Sequence, residues 1–332
     1  MRCPRRPAAL LAAALVAAYL ASACGVSTSQ PAGPAVASGP PSPAEPPVPL
    51  PNRDGSLKFL AFGDFGTGET VQYDLAKQMA ALRSRFNYDL AILLGDNIYG
   101  TKPGDFVTMF EQPYKPLLDA GVKFRASLGN HDKREQTKYA PFGMDGSLYY
   151  TFKAARQSVR FFALESTYAD PAQFAWLEKE LKGSTDEWKI AYFHHPLYSS
   201  ARGHGSTVAL RKALEPLFIR YNVSVVFSGH DHVYERIKPQ NGVVYFVAGS
   251  AGKLRPNDLN RASTITAKGF DTDLAFVAAE IEGDNMMFQA ISRTGAIVDS
   301  GIVIRRKEAT LSGDARPAAR SASRSLPENR IR

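Results

Sequence analysis

Apolar positions along the chain fall into short continuous runs and into longer stretches with a helical repeat. Residues 57–62, 90–94 and 122–128 read as strands, and 90–94, apolar at every position, as a buried one. Residues 71–86 carry apolar side chains at helical spacing and read as a helix, and 106–118 as helical turns. Residues 149–152 and 159–164 read as neighbouring strands, a hairpin, followed by a helix at 172–181 and a strand at 189–193. A helix at 208–221 leads to a strand at 223–227. Residues 242–247, 276–281, 286–292 and 297–304 close the pattern as mostly antiparallel strands. Strands alternating with helices predict an α/β fold, and no internal repeat is visible.

The two ends do not share this pattern. Arg2, Arg5 and Arg6 precede an apolar run at 8–21 that stops at Ser22-Ala23-Cys24-Gly25. A charged start, a short apolar core and small residues at its end make a secretory signal over 1–23, too short for a stable membrane span. Ala21-Ser22-Ala23 suits ordinary cleavage to a soluble exported product. Leu20 to Cys24 also matches a bacterial lipobox, in which Cys24 becomes a lipidated N-terminus. That second reading is favoured because Cys24 falls at the required place in a chain with only 2 cysteines. The expectation is an exported lipoprotein facing the periplasm or cell surface, with the membrane met only through the anchor. Residues 24–55 are rich in Pro, Ala, Ser and Gly and read as a disordered linker, and 306–332 as a disordered basic tail. A single large domain is left over 56–305.

Composition changes this picture little. Of the net charge of +8, residues 1–30 carry +3 and 306–332 carry +4, with −1 across 31–54, so the domain keeps only +2. No nucleic-acid partner is expected from so small a surplus. Cys3 leaves with the signal and Cys24 is lipidated or lost, so no intramolecular disulfide forms and stability rests on packing and metals.

The chemistry lies in five motifs: Asp64-Phe65-Gly66, Gly95-Asp96-Asn97-Ile98-Tyr99, Gly129-Asn130-His131-Asp132, His194-His195-Pro196 and Gly229-His230-Asp231-His232. Asp64, Asp96, Asn130, His194 and His230 each follow a predicted strand by one to three residues. The crevice beyond strand carboxyl ends is where open α/β sheets bind ligands. Each motif alone has an ordinary reading as a turn or a hydrogen-bonded core residue. Five together, in order behind strands, do not. Asp64, Asp96, Tyr99, Asn130, His194, His230 and His232 offer oxygen and nitrogen donors and no thiolate, a set suited to Fe, Mn or Zn. Seven donors with one shared carboxylate fill two adjacent sites of the kind that clamps a phosphoryl group. All 6 histidines of the chain lie in these motifs or in Gly203-His204-Gly205.

This series resembles the calcineurin-like metallophosphoesterases and, within them, the small tartrate-resistant type of purple acid phosphatase. The superfamily's first motif is ordinarily Asp-x-His and its second Gly-Asp-x-x-Asp. Here Gly66 and Tyr99 stand in the last places, the paired exchange of purple acid phosphatases. The resemblance covers about 57–252 and implies a four-layer α/β/β/α sandwich of two mixed sheets with a dimetal site at the strand ends. It implies Fe(III) held by Asp64, Asp96, Tyr99 and His232, and a divalent ion (Fe, Zn or Mn) held by Asp96, Asn130, His194 and His230. It further implies that His131 protonates the leaving group or contacts substrate and that His204 binds phosphate or acts as an acid. Asp132 is expected to orient His131 or to cap the following segment, and His195 either to face the site or to support it from behind. The implied activity is hydrolysis of small phosphate monoesters, with a phosphodiesterase or nucleotidase as the alternative and a non-catalytic metal- or phosphate-binding lipoprotein as the least favoured. The redox-sensitive cysteine pair of the mammalian enzymes is absent. Residues 253–270, rich in Asn, Thr, Arg and Lys, read as a loop bordering the site or a surface insertion.

Overall fold

The computed structural model describes residues 46–102 and 104–307. Its thirteen strands are β1 (Leu57–Phe62), β2 (Leu90–Leu94), β3 (Lys123–Ser127), β4 (Tyr150–Lys153), β5 (Val159–Ala163), β6 (Trp188–Tyr192), β7 (Val225–Ser228), β8 (Tyr234–Gln240), β9 (Val243–Ala248), β10 (Thr266–Phe270), β11 (Ala275–Glu282), β12 (Asn285–Ser292) and β13 (Ile297–Ile304). The helices are α1 (Thr70–Arg83), α2 (Lys115–Asp119), α3 (Pro171–Gly183) and α4 (Val208–Arg220).

Alternation along each strand builds the layers. Successive strand residues point to opposite faces. Phe59 and Ala61 of β1 therefore enter one apolar layer, with Ile92, Phe161, Ile190, Phe227, Phe246 and Phe288. Leu60 and Phe62 enter another, against Leu75 and Met79 of α1 and against Phe110 and Tyr114. On β5 to β7, Phe162, Ala191 and Val226 turn outward to Leu177 and Leu181 of α3 and Leu214 and Phe218 of α4. Two sheets thus pack face to face with helices outside each, the four-layer α/β/β/α sandwich expected. The first sheet runs β13-β12-β11-β1-β2-β3 and the second β10-β8-β9-β7-β6-β5-β4. β1 to β3 pair parallel, as do β5, β6, β7 and β9, so both sheets are mixed. β11 to β13 pair antiparallel, and β4 with β5 forms the expected hairpin.

The helical turns expected at 106–118 are a π-helical turn (Val107–Glu111) followed by α2. Other elements differ from the sequence pattern. Val223 ends the turn after α4, its amide donating to Phe218 O, so β7 starts later than expected. β8 and β10 do not show in the sequence pattern; β10 makes the last five residues of the 253–270 stretch an edge strand. The linker does not reach residue 55. Val48 N donates to Ser300 Oγ at 2.8 Å, and Asn52 and Arg53 amides donate to Glu280 at 2.7 and 2.6 Å. Glu280 is buried, and these amides join the Ser56 hydroxyl, 2.7 Å from Oε1, in satisfying its carboxylate. At the other end Arg306 is also held, reaching Phe218 O and Val223 O. The signal segment, Cys24, the linker before residue 46 and the tail beyond 307 lie outside the described residues. Among the described residues no helix is long and apolar enough to cross a membrane.

Candidate metal centre

The carboxyl ends of β1, β2, β3, β6 and β7 converge, and the five motifs occupy the loops that follow them. Asp64, Asp96 and His230 all have left-handed backbone, with φ of 56°, 51° and 70°. This region is sparsely used by residues with a side chain, and such conformations gather at functional sites. The bend re-aims each side chain immediately after its strand.

Gly66 explains how two of these loops meet. A Cβ at this position would stand 1.9 Å from Asn97 O and 2.7 Å from Ile98 Cα. No side chain fits there. In the space gained, Tyr99 N donates to Gly66 O at 2.9 Å and the phenol swings into the site. The absent histidine at 66 and the tyrosine at 99 are thus two sides of one backbone contact.

Three donor atoms form a near-equilateral set. Tyr99 Oη lies 3.3 Å from Asp64 Oδ1 and 3.4 Å from His232 Nε2, and His232 Nε2 lies 3.4 Å from Asp64 Oδ1. Beside it His194 Nε2 lies 3.0 Å from Asn130 Oδ1, 3.1 Å from His230 Nδ1 and 3.4 Å from Asp96 Oδ1. Asp64, Asp96 and His194 offer atoms all within 4.8 Å of one another, which joins the two sets through the carboxylates. Ligands about 2.0–2.2 Å from one ion stand apart by distances of this size.

The surroundings fix the lone pairs. His194 is buried and its Nδ1 faces Leu94 O at 2.9 Å. A carbonyl only accepts, so Nδ1 carries the proton and Nε2 of the neutral ring is left to ligate. That lone pair then confronts Asn130 Oδ1, an arrangement of acceptors that a cation between them reconciles. Burial, with Asp96 adding repulsion, pushes the Asp64 carboxyl well above its usual range although His194 counteracts. Burial followed by Asp64 and Asp96 pushes the Tyr99 phenol far up as well. Burial, reinforced by the neighbouring histidines, holds His230 down to about 2. Burial with Arg255 and Lys253 holds His232 down to about 4. Neutral imidazoles beside acids that resist ionisation without a counter-charge are the state that bound cations invert. The donor set fits two metal ions.

The remaining sequence-predicted residues fall around this centre. His131 is exposed, its ring centroid 5.0 Å from that of Tyr99. His204 is exposed too and stacks on His230 at 4.2 Å and 30°. His195 packs its ring 4.3 Å from that of His230, with Ser166 Oγ 2.9 Å from Nδ1; burial lowers it to about 4. It therefore supports a candidate ligand. Asp132 does not orient His131. Its carboxylate accepts from Gly129 N, Asn97 N, Ile98 N and Asn97 Nδ2 at 2.9–3.1 Å, which ties the loop after β3 to the loop after β2. Burial and the Asp96 charge push it up to about 7 against those amides. Sequence reasoning missed Ser166 and Lys253. Lys253 Nζ sits 3.5 Å from the Tyr99 ring centroid, so the start of the 253–270 stretch does border the site.

Residues 57–234 match the family model for the calcineurin-like phosphoesterases. Rat tartrate-resistant acid phosphatase type 5 is 26% identical over 244 residues, covering 61% of this chain and 74% of its own. Among solved structures, the purple acid phosphatase PPD1 of yellow lupin superposes with a TM-score of 0.63 at 19% identity, covering 77% of this chain and 55% of its own. The inner membrane complex anchor GAP50 of Plasmodium gives 0.64 at 18%, covering 76% and 90%. These two likenesses bear on the fold alone. With its matched strands, its two-sheet sandwich and its converging donors, the chain belongs to the calcineurin-like phosphoesterase family, the metal-dependent hydrolases of phosphoric esters.

Proposed function

We propose that this chain is an exported phosphatase that hydrolyses small phosphate monoesters at a mixed-valence-capable pair of metal ions. The carrying observation is the triangle of Asp64 Oδ1, Tyr99 Oη and His232 Nε2 at 3.3–3.4 Å. A phenolate and carboxylates are hard anionic donors that favour Fe(III). In this reading Asp64, Tyr99 and His232 hold the ferric ion, Asn130, His194 and His230 hold a divalent ion (Fe, Zn or Mn), and Asp96 serves both. When bound, such a pair supplies an acidified water as nucleophile and offsets charge on the phosphoryl oxygens. The likeness to named acid phosphatases supports the substrate class.

The chain's own residues divide the remaining work. Asp132 keeps Asp96 and Asn130 in register by tying their loops together. Ser166 and His195 back the ring of His230. His131, exposed beside Tyr99, donates a proton to the departing ester oxygen, and His204, stacked on His230, holds the phosphate from the other side. The signal, Cys24 anchor and linker would carry the domain to the far side of a membrane.

The test is purification of the domain with iron and zinc, followed by its visible spectrum and turnover. A charge-transfer band in the green that disappears in Tyr99→Phe is expected. His131→Ala should lower hydrolysis by about 10²- to 10⁴-fold with both metals retained. A colourless protein with two zinc ions and full activity sinks the ferric assignment; unchanged turnover in His131→Ala sinks the proton donor.

A further inference from the structure

A cleft of about 410 Å³ is lined by residues of the two loops that carry Tyr99 and His131. Ile98 and Gly100, which line it, flank Tyr99 in the chain, and Lys133 stands two residues beyond His131. The group released from phosphorus must leave past its proton donor, so in the reading above this cleft receives the alcohol arm of the ester.

Its walls state what that arm is. Phe106 and Tyr139 pair with ring centroids 4.3 Å apart and planes tilted by 45° and, with Ile98, give an apolar, largely aromatic wall. The Tyr139 hydroxyl is already donated to Glu111 at 2.6 Å, leaving the ring as the face on offer. Lys102, Lys133 and Lys138 also line the cleft, and none of them forms an ion pair among the described residues. Glu135 is the one carboxylate on this lining. The cleft on the opposite side, touched by His232, is balanced instead: Lys253 and Arg293 face Glu69 and Asp273, and Arg293 is paired with Asp273 at 2.8 Å. Of these two clefts, only the leaving-group one has more lysines and arginines than carboxylates on its lining.

We infer that this cleft is a leaving-group subsite selecting phosphate esters of apolar alcohols that carry a second anionic group. The inference rests on the monoesterase reading and adds the substrate class to it. Three solvent-accessible lysines act jointly through Coulomb attraction, so the selection weakens as salt rises.

The test measures binding to the metal-loaded protein by calorimetry, with three non-hydrolysable probes: phenylphosphonate, 3-carbamoylphenylphosphonate and 3-carboxyphenylphosphonate. The carbamoyl and carboxyl probes match in shape and differ in charge. At low salt the carboxyl probe should bind roughly tenfold more tightly than the carbamoyl probe, the joint effect of several exposed ion pairs. In the triple variant Lys102→Gln, Lys133→Gln, Lys138→Gln that advantage should fall within about twofold while carbamoyl binding stays unchanged. Equal affinity for the two probes in the parent protein overturns the subsite, as does an advantage that survives in the triple variant. Because phenyl phosphate turnover is measured alongside, loss of discrimination in a protein that hydrolyses it overturns the subsite alone. A protein that binds none of the probes and hydrolyses nothing overturns the monoesterase reading along with it.

Discussion

Gly66→Ala isolates the contact on which the tyrosine's position depends. The added Cβ would meet Asn97 O at 1.9 Å and Asn97 C at 2.4 Å, both backbone atoms that cannot rotate away. Ordinary contact lies near 3.4 Å, so the Asn97 peptide must retreat by roughly 1.5 Å; overpacking of this kind typically costs about 1–3 kcal/mol. The retreat also stretches the 2.9 Å bond from Tyr99 N to Gly66 O and the amide bonds from Asn97 and Ile98 to Asp132. Each such bond contributes about 1 kcal/mol, more to a carboxylate; weakening the three together adds roughly 2 kcal/mol, for a total of about 3–5 kcal/mol with the overpacking. At about 2–4 °C per kcal/mol for a domain of this size, Tm should drop by roughly 6–20 °C. Asn97 lies between Asp96 and Tyr99, so the same movement displaces two donors by more than the ~0.5 Å that a functional constellation tolerates. Metal content after dialysis against a defined free-metal buffer should fall to one ion or none, with the green band lost. A Gly66→Ala protein that unfolds within a degree of the parent and still holds two ions would refute the argument.

Asp132→Asn should destabilise by about 2–4 kcal/mol, because one carboxylate oxygen becomes a donor facing amides, and should weaken metal binding without altering the His131 ring; thermal unfolding and metal titration check both. Asp186 behaves differently. Burial raises its carboxyl, but hydrogen bonds from Arg160, Lys153 and Ser184 outweigh this and hold it below the usual 3.8. A lowered folded-state pKa contributes stability that is present above the unfolded value and lost as pH falls through the folded one. The Tm deficit of Asp186→Asn should therefore be constant from about pH 5 to 7 and shrink below pH 4. Truncation tests the domain boundary: removal through residue 45 should leave Tm unchanged, whereas removal through residue 53 strips amides from the buried Glu280 and should cost about 3–5 kcal/mol.

The apolar runs located β1, β2 and the parallel strands of the second sheet because their residues are buried on both faces, which makes them legible without alternation. β8 was hidden by its own chemistry. Glu235 is buried there, but it accepts from Ser200 N and Thr266 Oγ, and Arg236 pairs with Asp299 at 2.7 Å, so polar letters occupy interior positions. Lys238 and Pro239 complete the disguise. β10 is a short edge strand containing Lys268 and Gly269, with no apolar pattern to announce it. At the site, the seven donors were legible as motifs behind strands. The clamp made by Asp132 was not, since it depends on β2 and β3 lying side by side, which the linear order does not state. Lys253 over Tyr99 and Ser166 against His195 join residues from distant loops and were equally invisible.

The left-handed backbone at Asp64, Asp96 and His230 has a consequence for how this protein can change. For residues with a side chain that conformation costs about 1–2 kcal/mol each, and glycine would relieve it at all three positions. The working sequence is therefore not the most stable one the fold permits. A library of variants screened for heat resistance alone would be drawn first to these residues, gaining degrees of Tm while dismantling the centre. Only a screen that also demands bound metal would keep them.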